Sequence, residues 1–115
     1  MKKDKIYFKH ILDAISKINQ YVSVGHEEFM AHSHWSDATM RQLEVIGEAT
    51  KHLSEEIRIQ HPDVPWRRIA GLRDVLIHDY MGVDLEAVWE VTQRNLPELE
   101  ARIRDILREL EEGNE

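Results

Sequence analysis

The stretch LEVIGEATKHLSEEI, residues 43–57, decides the fold class of this chain. Its apolar side is formed by residues at steps of 3, 4, 3 and 4, namely Leu43, Ile46, Thr50, Leu53 and Ile57. This spacing is that of one face of an α-helix, and the narrow stripe is typical of helices in a bundle. The pattern predicts a helix that begins at an N-cap on Ser36 and ends before Pro62.

Helical spacing continues on both sides of this stretch, and no run of residues alternates as a strand would. A first helix is predicted to end near Gly25. A third is predicted from Pro65 to about Asp79, and a last one follows a cap on Asp84, with a kink or short break at Pro97. The sequence therefore predicts an all-α, up-down bundle of four to five helices.

Length and composition limit the classes to which the protein can belong. The chain has 115 residues and no cysteine, which predicts one domain over residues 1–115 without disulfides or thiolate metal ligands. No apolar run reaches the roughly 18 residues that a membrane helix needs, and the charged first residues do not lead into a signal-peptide apolar region. We therefore expect a cytoplasmic protein without a membrane partner.

The net charge of −7 is unevenly spread along the chain. Residues 84–115 carry 10 acidic and 4 basic side chains, and the end of the last helix, about 108–115, is acidic. An acidic total disfavours a nucleic-acid partner. However, residues 64–73 contain Arg67, Arg68 and Arg73 and no acid, so this segment could contact phosphate.

The end of the predicted third helix carries the residues best suited to chemistry: Arg73, Asp74, His78 and Tyr80. On a continuous helix Asp74 and His78 are one turn apart, so the carboxylate can fix the imidazole tautomer. Arg73 and Tyr80 share a face if the helix persists that far. An arginine beside a histidine suits metal-free RNA cleavage, in which the 2′-hydroxyl attacks the adjacent phosphorus. One chain supplies one such histidine, and a symmetric dimer would supply the second.

Other interpretations of the same residues remain open. By spacing alone, an ion-pair cluster with no catalytic task is the more frequent meaning of an Arg-x4-His pattern. His26, His32 and His34 could suggest a metal site, but their spacing is not that of a helix-borne pair, and a polar loop is favoured. Glu48, on a mainly apolar helix, is expected to pair with an arginine across the bundle or a dimer.

Several ordered motifs resemble the HepT toxins of the HEPN superfamily. They are Ile46-Gly47-Glu48-Ala49, Pro62-Asp63-Val64-Pro65-Trp66, Gly71-Leu72-Arg73-Asp74-Val75-Leu76-Ile77-His78-Asp79-Tyr80, Val88-Trp89 and Leu96-Pro97-Glu98-Leu99. The resemblance covers about residues 5–110. It implies a HEPN-type helical domain, a homodimer, and a metal-independent endoribonuclease that is the toxin of a type VII toxin–antitoxin pair.

The resemblance also implies roles for individual residues. The family's Arg-x4-6-His motif matches Arg73 and His78 as catalytic residues, with Asp74 as the supporting polar residue. The motif tyrosine matches Tyr80, onto which a minimal nucleotidyltransferase antitoxin of the MntA type would transfer AMP from ATP. The added bulk and negative charge would obstruct RNA. Arg67 and Arg68 are candidate RNA contacts, and no metal or cofactor is expected for this chain.

Two alternatives compete with the ribonuclease hypothesis. The first is a non-catalytic helical module that uses the same surface only to bind a nucleotidyltransferase. The second, more distant, is a metal-dependent hydrolase that uses the histidine-rich connection around His26, His32 and His34.

Overall fold

Helices form most of the structure, a computed structural model that describes residues 2–78 and 82–113. They are α1 (Lys2–Val22), α2 (His26–Ala31), α3 (Ser33–Lys51), α4 (Glu55–Gln60), α5 (Trp66–Ala70), α6 (Leu72–Leu76), α7 (Leu85–Glu90) and α8 (Leu96–Glu112). A short antiparallel ladder joins β1 (Ile77–His78) to β2 (Gly82–Val83). The predicted all-α class is confirmed, with more and shorter helical segments than the pattern predicted.

The core lies between α1 and α3, which pack along each other, and α8 covers α1 from another side. Residues that recur at helical spacing in the sequence are buried in it: Ile11, Ile15, Ile18, Leu43, Ile46, Ile103 and Ile106 are each at most 1% exposed, as is Phe8. Phe29 of α2 closes the cluster. None of the described helices is long and apolar enough to cross a membrane.

The predicted second helix is divided in two, and its start was placed wrongly. The helix α3 begins at Ser33, while Ser36 lies inside it, buried, with its hydroxyl donating to the Ser33 carbonyl at 3.0 Å. After Lys51 the chain turns, and Ser54 caps α4 by accepting from the Ile57 amide at 3.1 Å. The apolar stripe survives this break because Leu53 and Ile57 both remain buried.

A buried carboxylate ties the start of α1 to this turn. Asp4 is 1% exposed and accepts hydrogen bonds from the Ser54 amide at 2.8 Å and the Ser54 hydroxyl at 2.7 Å. Both carboxylate oxygens are therefore used, one for each donor. The contact joins residues 50 positions apart and fixes the start of α1 against the α3–α4 turn.

Replacing Asp4 with alanine is expected to lower the free energy of unfolding by about 1–3 kcal/mol, because it leaves the Ser54 donors without their acceptor. Urea denaturation of both proteins measures the difference. Asp13→Ala is the matched control, since the Asp13 side chain is 70% exposed and only pairs with Lys17 on the same helix. It should change stability by less than about 0.5 kcal/mol, and an equal loss in both variants would contradict the role given to Asp4.

The predicted third helix stops early. It is interrupted at Gly71 and ends at Leu76, whereas the spacing predicted helix to about Asp79. Beyond Leu76, the Asp84 amide donates to the Leu76 carbonyl at 2.9 Å, and Ile77 pairs with Val83. Gly82, at a φ of +79°, takes a left-handed conformation that glycine adopts without strain. Pairing with the neighbouring strand β2 therefore replaces helix here, so Asp74 and His78 are not on one helix.

The last helix begins at its predicted N-cap, and it continues through its proline without interruption. The Asp84 side chain accepts from the Ala87 amide at 3.1 Å at the start of α7. Between α7 and α8 the backbone forms a π-helical turn, Val91–Asn95. Pro97, which has no N–H to donate, lies in the first turn of α8 directly after it. The helical path is therefore continuous from α7 to α8, with wider turns in the middle.

Candidate functional site

A groove of about 680 Å³ runs between α1, α3 and the α5–α6 segment. We call it the Arg73 groove. The side chains of α1 and α3 that line it and can contribute to chemistry are Tyr7, His10, Arg41, Glu44, Glu48, Lys51 and His52. Across from them lie Arg73 and Asp74 of α6. Three of the residues singled out from sequence, Glu48, Arg73 and Asp74, thus line one open groove.

A glycine on α3 makes this arrangement possible. A Cβ atom built on Gly47 would lie 2.9 Å from the carbonyl oxygen of Ala70, closer than real Cβ contacts come. The backbone of α3 and the end of α5 therefore touch at this point. Because α6 follows α5 after a single residue, this contact sets where Arg73 stands relative to α3.

Arg73 forms an ion pair with Glu44 of α3, whose Oε2 contacts the guanidinium Nε. The two side chains are 46% and 35% exposed, so the pair is partly open to solvent. Glu44 also lies 3.5 Å from Arg41 Nη1. Sequence reasoning missed Glu44, although one signal was available. Glu44 precedes Gly47 by three residues and so lies on the helix face where the close contact occurs.

Glu48, which was expected to pair with an arginine across the bundle or a dimer, makes no such pair across the bundle among the described residues, and a pair across a dimer stays a prediction. Its carboxylate lies 3.3 Å from His52 Nε2 and 4.0 Å from Lys51 Nζ. Within one chain, the acidic residue of α3 that meets an arginine is Glu44. The contact between α3 and Arg73 is therefore made one helical turn before Glu48.

The remaining predicted site residues lie elsewhere. The backbone of His78 belongs to β1, where it pairs with Gly82. Tyr80 falls between β1 and β2 in sequence and lies outside the described residues. Arg67 and Arg68 are exposed on α5, and Arg68 lines a second groove, between α5–α6 and α7–α8. The basic segment is thus divided, with Arg68 and Arg73 lining different grooves.

The second groove is apolar at its base and has an ion pair at its rim. Arg102 Nε donates to Asp63 Oδ2 at 2.7 Å, and Nη2 reaches Oδ1 at 3.2 Å. This hydrogen bond lowers the pKa of Asp63 below its usual value, and it raises the pKa of Arg102. Asp63 therefore stays ionised to a lower pH than a free carboxyl would. Its ion pair with Arg102 holds α8 to the segment before α5.

The histidines of the connection between α1 and α3 contact side chains of the same molecule. His26 Nε2 lies 3.1 Å from Glu86 of α7, and His32 Nε2 lies 3.6 Å from Glu28 one turn before it. The His32 and His34 rings are 5.9 Å apart. Among residues 2–78 and 82–113, no group of three or more histidine and carboxylate side chains is arranged to hold a metal ion.

Comparison with known families and proteins gave consistent matches. A family model described as ribonuclease HepT-like matches residues 11–106. A protein of Thermococcus cleftensis named "Probable ribonuclease HepT" is 33% identical over 106 residues, which are 91% of this chain and 96% of that protein. A protein of Caldanaerobacter subterraneus subsp. tengcongensis named as a candidate RNase is 41% identical over 108 residues, 93% of this chain and 96% of its own length.

One relative is longer than this chain. A protein of Methanocaldococcus jannaschii, named as a gamma-glutamylcyclotransferase and candidate RNase, is 41% identical over 115 residues. These residues are 98% of this chain but only 52% of that protein, so the chain spans about half its length. No solved structure matches the chain.

Proposed function

Because the chain belongs to the ribonuclease HepT-like family, we propose that it is a metal-independent endoribonuclease that acts as a cytoplasmic toxin. The observation that best supports this proposal is Arg73, a half-exposed guanidinium that Glu44 holds in an open groove beside Asp74. His78 follows at the next element, β1. These residues supply a cation for phosphate and a group that moves protons near neutral pH.

The proposed reaction divides the work between these residues. His78 accepts the proton of the 2′-hydroxyl as its oxygen attacks the adjacent phosphorus, which gives a cyclic phosphate and breaks the bond to the 5′-oxygen. A second protonated histidine returns a proton to that leaving oxygen. Arg73 stabilises the charge that develops on the non-bridging oxygens. Because one chain brings a single His78, we propose a homodimer whose active site combines residues of both chains. We also propose that residues 1–115 of each chain form one domain.

The ion pair with Glu44 is compatible with phosphate binding. A guanidinium carries five N–H groups, of which the one on Nε faces Glu44. The other four, on Nη1 and Nη2, are those with which arginine binds phosphate oxygens in pairs. Asp74 is proposed to support Arg73 and His78 without taking part in proton transfer, and Arg67 and Arg68 to contact RNA outside the groove.

Cleavage of RNA by the purified protein in excess EDTA is the direct test. We expect single-stranded or structured RNA to be cut, with products that end in cyclic phosphate, because the mechanism uses only side chains. Gel electrophoresis of labelled RNA measures it. Cleavage that is lost in EDTA and restored by added divalent metal would contradict the proposed mechanism.

We further propose that the toxin is controlled by a minimal nucleotidyltransferase of the MntA type, which transfers AMP from ATP to Tyr80. A nucleotide on this residue would bring negative charge close in sequence to Arg73 and His78, where it would compete with RNA for the guanidinium.

Incubation with this partner and ATP is expected to raise the intact mass of the protein by whole AMP units, and Tyr80→Phe should prevent the rise. Mass spectrometry of the whole chain measures it. Tyr21→Phe serves as the control, because Tyr21 lies on α1 and should not alter the modification. An unchanged mass increase in Tyr80→Phe would assign the modification to another residue.

The same ion pair also favours a second candidate function. Arg73 neutralised by Glu44 would suit a non-catalytic surface that only holds the nucleotidyltransferase. A protein that binds this partner tightly but cuts no RNA under any of these conditions would support this alternative.

A further inference from the structure

The ring of His52 is held flat against Tyr7 at the wall of the Arg73 groove. The two ring centroids are 5.1 Å apart and the planes are inclined by only 14°, which is a stacked arrangement. His10 meets Tyr7 edge-on, with centroids 5.9 Å apart. On its own helix, His52 Nε2 lies 3.3 Å from Glu48 Oε2. A stacking contact and a contact with a carboxylate together orient the imidazole.

This fixed ring is also open to solvent. The His52 side chain is 53% exposed although Tyr7 covers one of its faces. More than half of the side-chain surface is thus available to a ligand, and Tyr7 occupies only one of the two ring faces. A flat aromatic face of fixed orientation is the surface on which nucleobases stack in proteins that bind single strands.

The charges that line the groove do not provide strong attraction for nucleic acid. Arg41, Lys51 and Arg73 are balanced by three carboxylates, those of Glu44, Glu48 and Asp74. With both histidines neutral the lining has no net charge, so a polyanion gains little from Coulomb attraction over its length. A nucleic-acid strand in this groove needs a second source of affinity. Stacking of a base on an aromatic ring supplies one that does not depend on charge.

We propose that His52, backed by Tyr7, is the platform on which a nucleobase of single-stranded RNA stacks while Arg73 holds a nearby phosphate. The inference rests on the proposed ribonuclease function, since it assigns a base subsite to the same groove. It makes His52 a binding residue and Tyr7 a positioning residue that holds the imidazole nearly parallel to its own ring.

The chain contains a matched control for His52. His32 is 54% exposed and its Nε2 lies 3.6 Å from Glu28, so it has nearly the same exposure and an equivalent i,i+4 contact with a glutamate. It also stacks on a ring, that of His34, but it does not line the Arg73 groove. The two histidines therefore differ mainly in location.

The test measures binding of a fluorescent single-stranded oligonucleotide with 2′-deoxyribose, which has no 2′-hydroxyl and cannot be cut. His52→Ala is expected to raise its Kd about tenfold, in line with the loss of one stacked base. His52→Phe, which keeps a flat ring, should stay within about twofold of the unmodified protein, as should His32→Ala. Thermal unfolding of each variant checks that the fold is retained.

Three outcomes would overturn the proposal: no binding by the unmodified protein, equal Kd in His52→Ala, or the same loss in His52→Phe as in His52→Ala. The last would mean that the imidazole charge or hydrogen bond, and not its face, holds the ligand. Tyr7→Leu should also weaken binding, because His52 loses its backing. Since this oligonucleotide cannot be cut, failure of the ribonuclease proposal appears separately, as intact RNA in the cleavage assay.

Discussion

Replacing Arg73 or His78 with alanine is expected to slow RNA cleavage by about a hundredfold to ten-thousandfold. Proton transfer by a positioned side chain and stabilisation of developing charge each contribute effects of this size. Arg73→Ala should not lower the free energy of unfolding by more than about 1 kcal/mol. For Arg73 the reason is that the pair with Glu44 is partly exposed, so the remaining carboxylate can be hydrated.

The measurement is a single-turnover cleavage rate at saturating protein, together with a urea unfolding curve for each variant. Arg94→Ala is the matched control, since Arg94 is also an arginine in an exposed ion pair, with Glu90, but on the π-helical turn. Arg73→Lys should recover only part of the rate, because an ammonium cannot bind two phosphate oxygens in the geometry of a guanidinium. Full activity in either alanine variant would remove that residue from the proposed mechanism.

Gly47→Val is expected to lower the free energy of unfolding by about 2–3 kcal/mol and to reduce cleavage at the same time. Even a single Cβ here would lie 2.9 Å from the Ala70 carbonyl, which is backbone and cannot turn away. Steric overpacking of this kind typically costs about 1–3 kcal/mol. Relief of the clash requires the end of α5 to move off α3, and Arg73 would move with it, away from Glu44.

Gly71→Ala separates this effect from the loss of any glycine. A Cβ on Gly71 would lie 3.7 Å from the Arg67 carbonyl, an ordinary contact, and the residue has a negative φ. Its stability should therefore stay within about 0.5 kcal/mol of the unmodified protein or rise slightly. A melting temperature for Gly47→Val equal to that of Gly71→Ala would show that α3 and α5 are not in the tight contact described.

The fold class followed from local periodicity because most helices bury a stripe that is visible in sequence. Leu43, Ile46 and Ile57 lie in the core as their spacing predicts. What could not be predicted depends on contacts made outside the helix itself. The α3–α4 turn is fixed by a hydrogen bond from Ser54 to Asp4, 50 residues away. The helix α6 ends because the residues after it, β1, pair with β2. A helical pattern carries no information about such competing contacts.

The candidate site was likewise predicted only in part from the sequence. Arg73 and Asp74 were found by residue type and spacing, and both line the groove. Glu44 was missed because its partner lies 29 residues further on, and only the close contact at Gly47 brings them together. The basic segment was predicted as one patch, yet a short helix turns Arg68 to a different groove from Arg73.

The π-helical turn at Val91–Asn95 has a consequence for how the chain length of this protein can vary. Deleting one residue from an ordinary α-helix rotates everything after it by about 100°, which would turn an apolar face into solvent. A π-helical turn holds one residue more than the α-helix around it, so a deletion within it restores regular winding. Leu99, Ile103 and Ile106 would then still face the core. This turn is accordingly the place where the last helix can tolerate the deletion of one residue during evolution.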